Sequence, residues 1–438
     1  MKNWNDDQMD IVKKEQVLIL SSGKCCWAKC FACGWGRMEA PVNVTALKTK
    51  IKNRNLKGVE KLKVFASGSF LDDKQFPREF RKWFADYIKE HGVNELVIES
   101  RPKFITPDNL KDFTQQGLEL TVAIGLESAD NEVLKKYKKG FTAEDFVKAA
   151  QILHENGCKV RTYLMVNIPF DTKEGLDTSV EFALKYSDSI VLINTFPHSK
   201  APLFEMWLRG EWRPFNEEAF MHRVNNWKRN KKIELDYNNF MFVPKFPSEK
   251  RKMLQGATSE VLRHPYFEVW QDYFQRFYQT PKGKDTVLFL PCSFRKPYPK
   301  SQTHKVIHAA LHTMNMADKF HKIVVSNPGV IPFEFSNYYP FNAYDWPEIE
   351  ETPEIKAEYI EVIKDRVKKY LQTHKYKHYF CYLKYTETYL ALKAACNELG
   401  IKLQNLLDKK VYDEIKNEKN PIILQDALEC MKKNLKKM

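Results

Sequence analysis

The stretch QVLILSSGKCCWAKCFACGWGR, residues 16–37, decides the fold. Gln16–Leu20 carries a short apolar run bounded by Ser-Ser-Gly, the pattern of a buried β-strand. Past its end come Cys26-x3-Cys30-x2-Cys33, so three thiols sit on a loop at the carboxyl end of a strand. Three closely spaced thiolates can ligate three irons of a cubane cluster, and the missing fourth ligand leaves one iron open. An open iron can chelate the amino and carboxylate groups of S-adenosylmethionine, whose reductive cleavage releases a 5′-deoxyadenosyl radical. The structural alternative is a zinc knot, which normally takes four protein ligands. Cys25 is the only nearby candidate for a fourth, and adjacent cysteines seldom converge on one small ion. Cys25 therefore reads as a bystander, and Cys26, Cys30 and Cys33 as ligands of a [4Fe–4S] cluster.

Outward from this loop the chain alternates strands and helices. Strands are expected at Gln16–Leu20, Lys63–Ala66, Glu95–Glu99, Glu119–Ile124, Lys159–Val166 and Ser189–Asn194, with helices such as Pro77–His91, Ala143–Asn156 and Thr172–Lys185 between them. Six such units predict an α/β fold with a parallel sheet, either open or closed into part of a barrel. The pattern weakens from Pro214 to Gly256, which reads as a linker or bridge over residues 216–253. His264–Tyr278 spaces its aromatics at helical intervals, as a helix packed on a core does.

A second α/β unit follows, with strands at Thr286–Leu290, Lys322–Ser326 and Tyr379–Leu383 and helices at Ser301–Met314, Pro353–Thr373 and Thr386–Leu399. The expected division is 1–215, 216–253 and 254–438, ending in a basic tail, MKKNLKKM, that is expected to fray. Cys292 lies just past the strand TVLFL, the usual place for a site in an open α/β sheet. Lys296, Tyr298, Ser301 and His304 follow within one turn and the start of a helix, so they can converge with Cys292 on one pocket.

The chain has 438 residues, of which 43% are hydrophobic and 13% aromatic, which excludes a disordered chain. No apolar run approaches the ~20 residues of a membrane span. The polar N-terminus is unlike a secretory signal, and the nine cysteines are clustered rather than spread as a disulfide framework. A cytoplasmic location with no membrane partner is expected. The net charge of +14 fits either a Lys-rich solvated surface or a polyanionic partner.

The cysteine motif resembles that of radical-SAM enzymes. VFASGSFLDDKQFP (64–77), ELVIESRPKFIT (95–106), AIGLESADNEVL (123–134), KKGFTAEDFVKAA (138–150) and FEMWLRGEWRPF (204–215) resemble, in the same order, blocks of the radical-SAM subunit of archaeosine synthase. The resemblance runs from about Val17 to Phe215 and implies a partial (β/α)6 barrel with the cluster at its mouth. By position it implies that Ser67, Gly68 and Ser69 hold the methionine end of S-adenosylmethionine. Glu99, Arg101, Glu127 and Ser128 end strands, where they can bind ribose hydroxyls or the substrate's polar groups, with a structural barrel ion pair as the alternative for Glu99 and Arg101, and the resemblance places Asn167 near the adenine. Departures occur at CFACGWG, NIPF and NTFPHSKAP, where the family's usual text differs.

PCSFRKPYPKSQTH (291–304) resembles the core motif of the lysine-transfer subunit of the same enzyme, PC-x3-KPY-x2-S-x2-H, at every fixed position. HPYFEVWQDYFQRFY and NPGVIPFEFSNYYPFNAYDWP also resemble that core, over about Leu254 to Leu403. The resemblance implies a smaller, Rossmann-like α/β unit for lysine transfer, without the transglycosylase-like and RNA-binding domains usual in that subunit. It implies that lysine adds to the nitrile of 7-cyano-7-deazaguanine in tRNA, and that radical cleavage of the lysine C–N bond then leaves a formamidine. In this reading Cys292 attacks the nitrile, His304 shuttles a proton, Lys296 or Tyr298 stabilises developing charge, and Asp345 binds lysine or the deazaguanine edge. The partners are tRNA carrying 7-cyano-7-deazaguanine, lysine, an electron donor and, as a candidate, a separate tRNA-binding subunit. DNA or a free base or nucleoside is the alternative substrate.

Overall fold

The computed structural model describes residues 9–10, 14–172, 174–237 and 243–437. The chain divides into two compact units, Met1–Asn239 and Phe240–Met438. In the first, a short strand β1 (Met9–Asp10) pairs antiparallel with β2 (Glu15–Leu20). Then β3 (Lys61–Ala66), β4 (Glu95–Glu99), β5 (Glu119–Glu127), β6 (Lys159–Val166), β7 (Ser189–Asn194) and β8 (Ile233–Asp236) add in chain order, all parallel from β2 onward. Strand order equal to chain order, with helical crossovers, is the connectivity of a curled half-barrel.

The two faces of this sheet differ in chemistry because strand residues alternate. Leu18, Leu62, Val64, Leu96, Ile98, Val122, Val160, Leu164 and Leu192 are buried in the apolar core, against which the crossover helices pack. The opposite face carries Lys63 paired with Glu15 at 2.7 Å, then Glu99, then Arg161 paired with Glu234 at 2.5 Å. A polar, partly buried concave face is what a ligand-holding half-barrel needs. The crossover helix Arg78–Glu90 buries Phe80, Phe84 and Ile88, and Ala143–Glu155 begins at a capping box of Thr142 and Asp145. The stretch read as a linker, 216–253, contributes helix Glu217–Arg223 and strand β8 to this unit, giving seven parallel strands where six were expected. Its polar composition hid a short edge strand with one face in water.

In the second unit β9 (Leu254–Gln255) pairs with β13 (Tyr344–Asp345). The main sheet holds β10 (Thr286–Leu290), β11 (Phe320–Ser326), β12 (Gly329–Pro332), β14 (His378–Cys381) and β15 (Leu403–Asn405) in the order β12-β11-β10-β14-β15. Only β12 runs antiparallel. From β10 the chain goes first to one neighbour, β11, and later to the other, β14. The carboxyl end of β10 is therefore a topological switch point, where open α/β sheets form their crevice. Helix Pro265–Arg276 buries Phe267, Val269, Trp270, Tyr273 and Phe274, so its aromatic stripe is core. The basic tail is helical over Gln425–Leu435, held by buried Cys430, Met431, Asn434 and Leu435, rather than frayed.

Candidate active sites

The cysteine loop leaves β2 at its carboxyl end and is pinned on several sides. Gly23 bridges Ala40 at its base. The Phe31 amide donates to the Tyr137 carbonyl at 2.9 Å, and the Trp27 indole donates to the Lys138 carbonyl at 2.6 Å. Gly140, at φ +74°, lets Trp27 lie against the backbone, since a Cβ there would come within 2.3 Å of the indole. The Gly36 amide donates to Cys33 Sγ at 3.3 Å. Cys26 is exposed, whereas Cys30 and Cys33 are half-buried, and burial pushes both of their thiols above the usual range. Among the described residues no three His, Cys, Asp or Glu side chains are gathered as a metal-binding group.

Beside Cys30 lies a charged cluster. Lys139 Nζ pairs with Glu127 Oε1 at 2.5 Å. Burial works against the Lys139 charge, but Glu127 and Cys30 outweigh it and its pKa ends raised. Glu127 reaches this place through a register shift in β5 between Gly125 and Glu127 and its own left-handed backbone, φ 71°. Glu99 accepts the Ala66 amide at 3.0 Å, and burial, reinforced by Glu127, pushes its carboxyl up to about 7.

Ser67, Gly68 and Ser69 form the turn after β3, and Gln75 ties that turn to the cysteine loop. Its Oε1 accepts the Ser69 amide at 2.9 Å, while Nε2 donates to the carbonyls of Ser67 at 2.7 Å and Ser22 at 3.0 Å. Gly68, at φ +116°, is required, because a Cβ would lie 2.2 Å from Gln75 Oε1. Arg101 is tied down: its amide donates to Ser69 Oγ at 3.0 Å and its guanidinium to the carbonyls of Lys139 at 3.0 Å and Gly140 at 3.2 Å. The guanidinium also lies 5.5 Å from the Trp27 ring centroid. It thus braces the cysteine loop.

Ser128 is fully buried and accepts the Asp130 amide at 3.2 Å, so in this structure its hydroxyl shapes the turn after β5. Asn167, in the left-handed region at φ 66°, donates to the Arg213 carbonyl at 2.8 Å and accepts the Trp212 indole on its own carbonyl at 2.9 Å. The structure thus brings Cys30, Cys33, Glu99, Arg101 and Glu127 into one neighbourhood. The side chains of Ser128 and Asn167 are spent on backbone turns. Lys139, Gln75 and Trp27 were not singled out from sequence. Lys139 was hidden in a lysine-rich run, and its pairing with Glu127 depends on the bulge.

The second site forms at the switch point of the smaller sheet. Cys292 Sγ lies 3.5 Å from the Tyr344 hydroxyl, and the Tyr298 hydroxyl donates to it at 3.7 Å. The two phenols are hydrogen-bonded to each other, and Tyr344 donates to Ser326 Oγ at 2.9 Å. Both rings are fully buried, and desolvation, reinforced by Cys292, holds both hydroxyls far above their usual pKa, so they stay protonated. Lys296 Nζ lies 4.1 Å above the Tyr344 ring centroid. The arrangement places a partly accessible sulfur beside a short chain of protonated hydroxyls, Tyr298, Tyr344 and Ser326.

Two of the motif residues are engaged with the backbone here. Ser301 is the N-cap of helix Gln302–Thr313, accepting the His304 amide at 3.1 Å. His304 is buried beside the Pro291–Cys292 turn. Burial, reinforced by His308, lowers its pKa to about 4, and its Nε2 lies 3.0 Å from the Pro291 carbonyl. A neutral imidazole donating to that carbonyl holds the Pro291–Cys292 turn, and its Nδ1 is buried with no partner. Asp345 sits on β13 next to Tyr344. In the same YDWP segment it is the tyrosine, not singled out from sequence, that reaches Cys292.

Residues 20–183 match the family model of the radical SAM superfamily, and residues 267–418 match a domain of unknown function, DUF5591. Archaeosine synthase subunit beta of Thermococcus kodakarensis is 33% identical over 201 residues, covering 42% of this chain and 62% of that protein. Archaeosine synthase subunit alpha of Thermoplasma acidophilum is 32% identical over 116 residues, covering 26% of this chain and 22% of that protein. The chain thus spans just under two thirds of the first relative and about a fifth of the second. Among solved structures, queuine lyase from Clostridium spiroforme, bound to SAM and queuine, aligns with a TM-score of 0.41 at 21% identity, over 52% of this chain and 94% of that one. No helix among the described residues is long and apolar enough to cross a membrane.

The superfamily works by radical chemistry and brings S-adenosylmethionine and a [4Fe–4S] cluster as cofactors. The residues present suit both. Three free thiols stand on one pinned loop, and the concave sheet face beside them is polar. Residues 20–183 therefore match the radical SAM superfamily and residues 267–418 match DUF5591, on one chain that is similar to subunits of archaeosine synthase.

Proposed function

We propose that this chain carries out two consecutive steps of archaeosine formation in tRNA. It adds lysine to the nitrile of 7-cyano-7-deazaguanine, then cleaves the lysine C–N bond to leave a formamidine. The observation that carries the reading is that one chain is similar to both the beta and the alpha subunit of archaeosine synthase. Cys26, Cys30 and Cys33 are the cluster ligands, and Ser67–Ser69 and Glu99 face the cofactor. When bound, the cluster and S-adenosylmethionine supply the 5′-deoxyadenosyl radical. Lys139 and Glu127 keep a compensated charge pair beside the cluster loop, and Arg101 and Gln75 hold the loops in register.

In the second unit the Cys292 sulfur adds to the nitrile carbon, and its proton ends on the nitrile nitrogen, giving a thioimidate. The lysine ε-amine then attacks the same carbon, the C–S bond breaks, and the thiol is regenerated as the amidine forms. Tyr298 donates a hydrogen bond where negative charge develops on sulfur or nitrogen, and Tyr344 supports it through the bond between the two phenols. Both steps act on a polymer-bound intermediate, so joining them on one chain raises the effective concentration for the second.

The test is mass spectrometry of nucleosides from tRNA carrying 7-cyano-7-deazaguanine. A lysine adduct is expected with lysine alone, and the formamidine once S-adenosylmethionine and a reductant are added without oxygen. No lysine-dependent adduct on any nucleic acid would overturn the transfer step. Equal turnover of the free base would favour a small-molecule substrate.

A further inference from the structure

We propose that Phe294 is a nucleobase-stacking residue of the Cys292 site, flanked by Arg295, Lys296 and Lys300 as phosphate contacts. The inference rests on the proposed polynucleotide substrate and names how its strand is held. Phe294 is 89% exposed, two residues from Cys292. Its loop is anchored on both sides. Cys292 leaves the buried strand β10, and Tyr298 is fully buried. Between them the Ser293 hydroxyl donates to the Arg295 carbonyl at 3.2 Å. An apolar ring is thus held in water on a braced turn two residues from Cys292.

The neighbouring charges point to the occupant. Arg295 and Lys300 are exposed and Lys296 half-buried, and none of the three has a carboxylate partner among the described residues. A carbon on a base inside a stacked strand cannot reach Cys292, so the target nucleotide must leave its stack and expose the face of its neighbour. An aromatic ring covers such a face whatever the base, while cations on either side take the phosphates.

The experiment measures binding of the full chain to an unmodified tRNA transcript at fixed low salt. Phe294→Ala is expected to weaken binding roughly 5- to 100-fold without changing the salt slope. Arg295→Gln is expected to lower that log–log slope by about 0.7–0.9. Phe294→Trp is expected to restore affinity, with its added indole emission quenched by the RNA, and Phe294→Leu to restore little. If the parent binds and Phe294→Ala binds equally, or Phe294→Leu rescues as fully as Phe294→Trp, the stacking role is overturned and the polynucleotide reading stands. If the parent itself does not bind the transcript, both fall together.

Discussion

Replacing Gln75 by Leu keeps a side chain of similar size and removes the amide that joins three loops at the mouth of the half-barrel. The lost bonds are the Ser69 amide to Oε1 at 2.9 Å and Nε2 to the carbonyls of Ser67 at 2.7 Å and Ser22 at 3.0 Å. Gln75, Ser22 and Ser69 are each about 1% exposed, so the Ser69 amide and the Ser22 carbonyl would have no water to turn to. Ser67 is partly exposed and can be rehydrated. A buried group left without its partner costs about 1–3 kcal/mol. Two such groups, with a small term for Ser67, put the loss at about 2–6 kcal/mol, a large share of a typical stability. At a urea dependence of about 2 kcal/mol per M, the midpoint of the first unit's transition shifts by roughly 1–3 M. Gln75→Glu is expected to do no better, since it sets a carboxylate oxygen against two carbonyls. Hydrogen exchange of peptides spanning residues 66–76, with urea unfolding of the full chain, reads both effects. A midpoint shift below about 0.3 M with those amides still protected would refute the reasoning.

Further outcomes are open to direct measurement. Glu99, raised by burial from 4.5 to about 7, binds a proton in the folded chain that the unfolded chain has released. Between those values stability falls as pH rises, by about 1.4 kcal/mol per pH unit and about 3 kcal/mol in all. Glu99→Gln is expected to flatten that stretch of the stability–pH curve, and an unchanged slope would contradict the assignment. Anaerobic reconstitution is expected to give about four irons per chain, lost together with S-adenosylmethionine cleavage when Cys26, Cys30 and Cys33 are replaced by Ala. Stoichiometric zinc would sink that reading. Cys292→Ser is expected to abolish lysine transfer while leaving cleavage of a pre-lysinylated tRNA intact, and wild-type transfer would remove Cys292 as nucleophile. Tyr344→Phe is expected to slow transfer roughly 100-fold, and an unaltered rate would mean its hydroxyl only packs.

What sequence alone determined was local and periodic. Alternation marked Glu95–Glu99, Lys159–Val166, Ser189–Asn194 and Thr286–Leu290 at the bounds the structure shows, because a half-buried strand must alternate and a doubly covered one must be apolar. The cysteine spacing and the Cys292 motif were legible because each lies within one loop. Tertiary structure decided what depends on distant segments meeting in a low-dielectric place. β8 joined the sheet because β7 offered an edge, the four alternating residues of β8 being too few to stand out in a polar stretch. Lys139 met Glu127 only through the bulge in β5. Tyr344, 52 residues from Cys292, reached it because β13 passes the switch point of the sheet. His304 kept its motif position, but its surroundings were decided by the fold. Burial disfavours the imidazolium, and no spacing rule reports how much water a folded chain will leave around a ring.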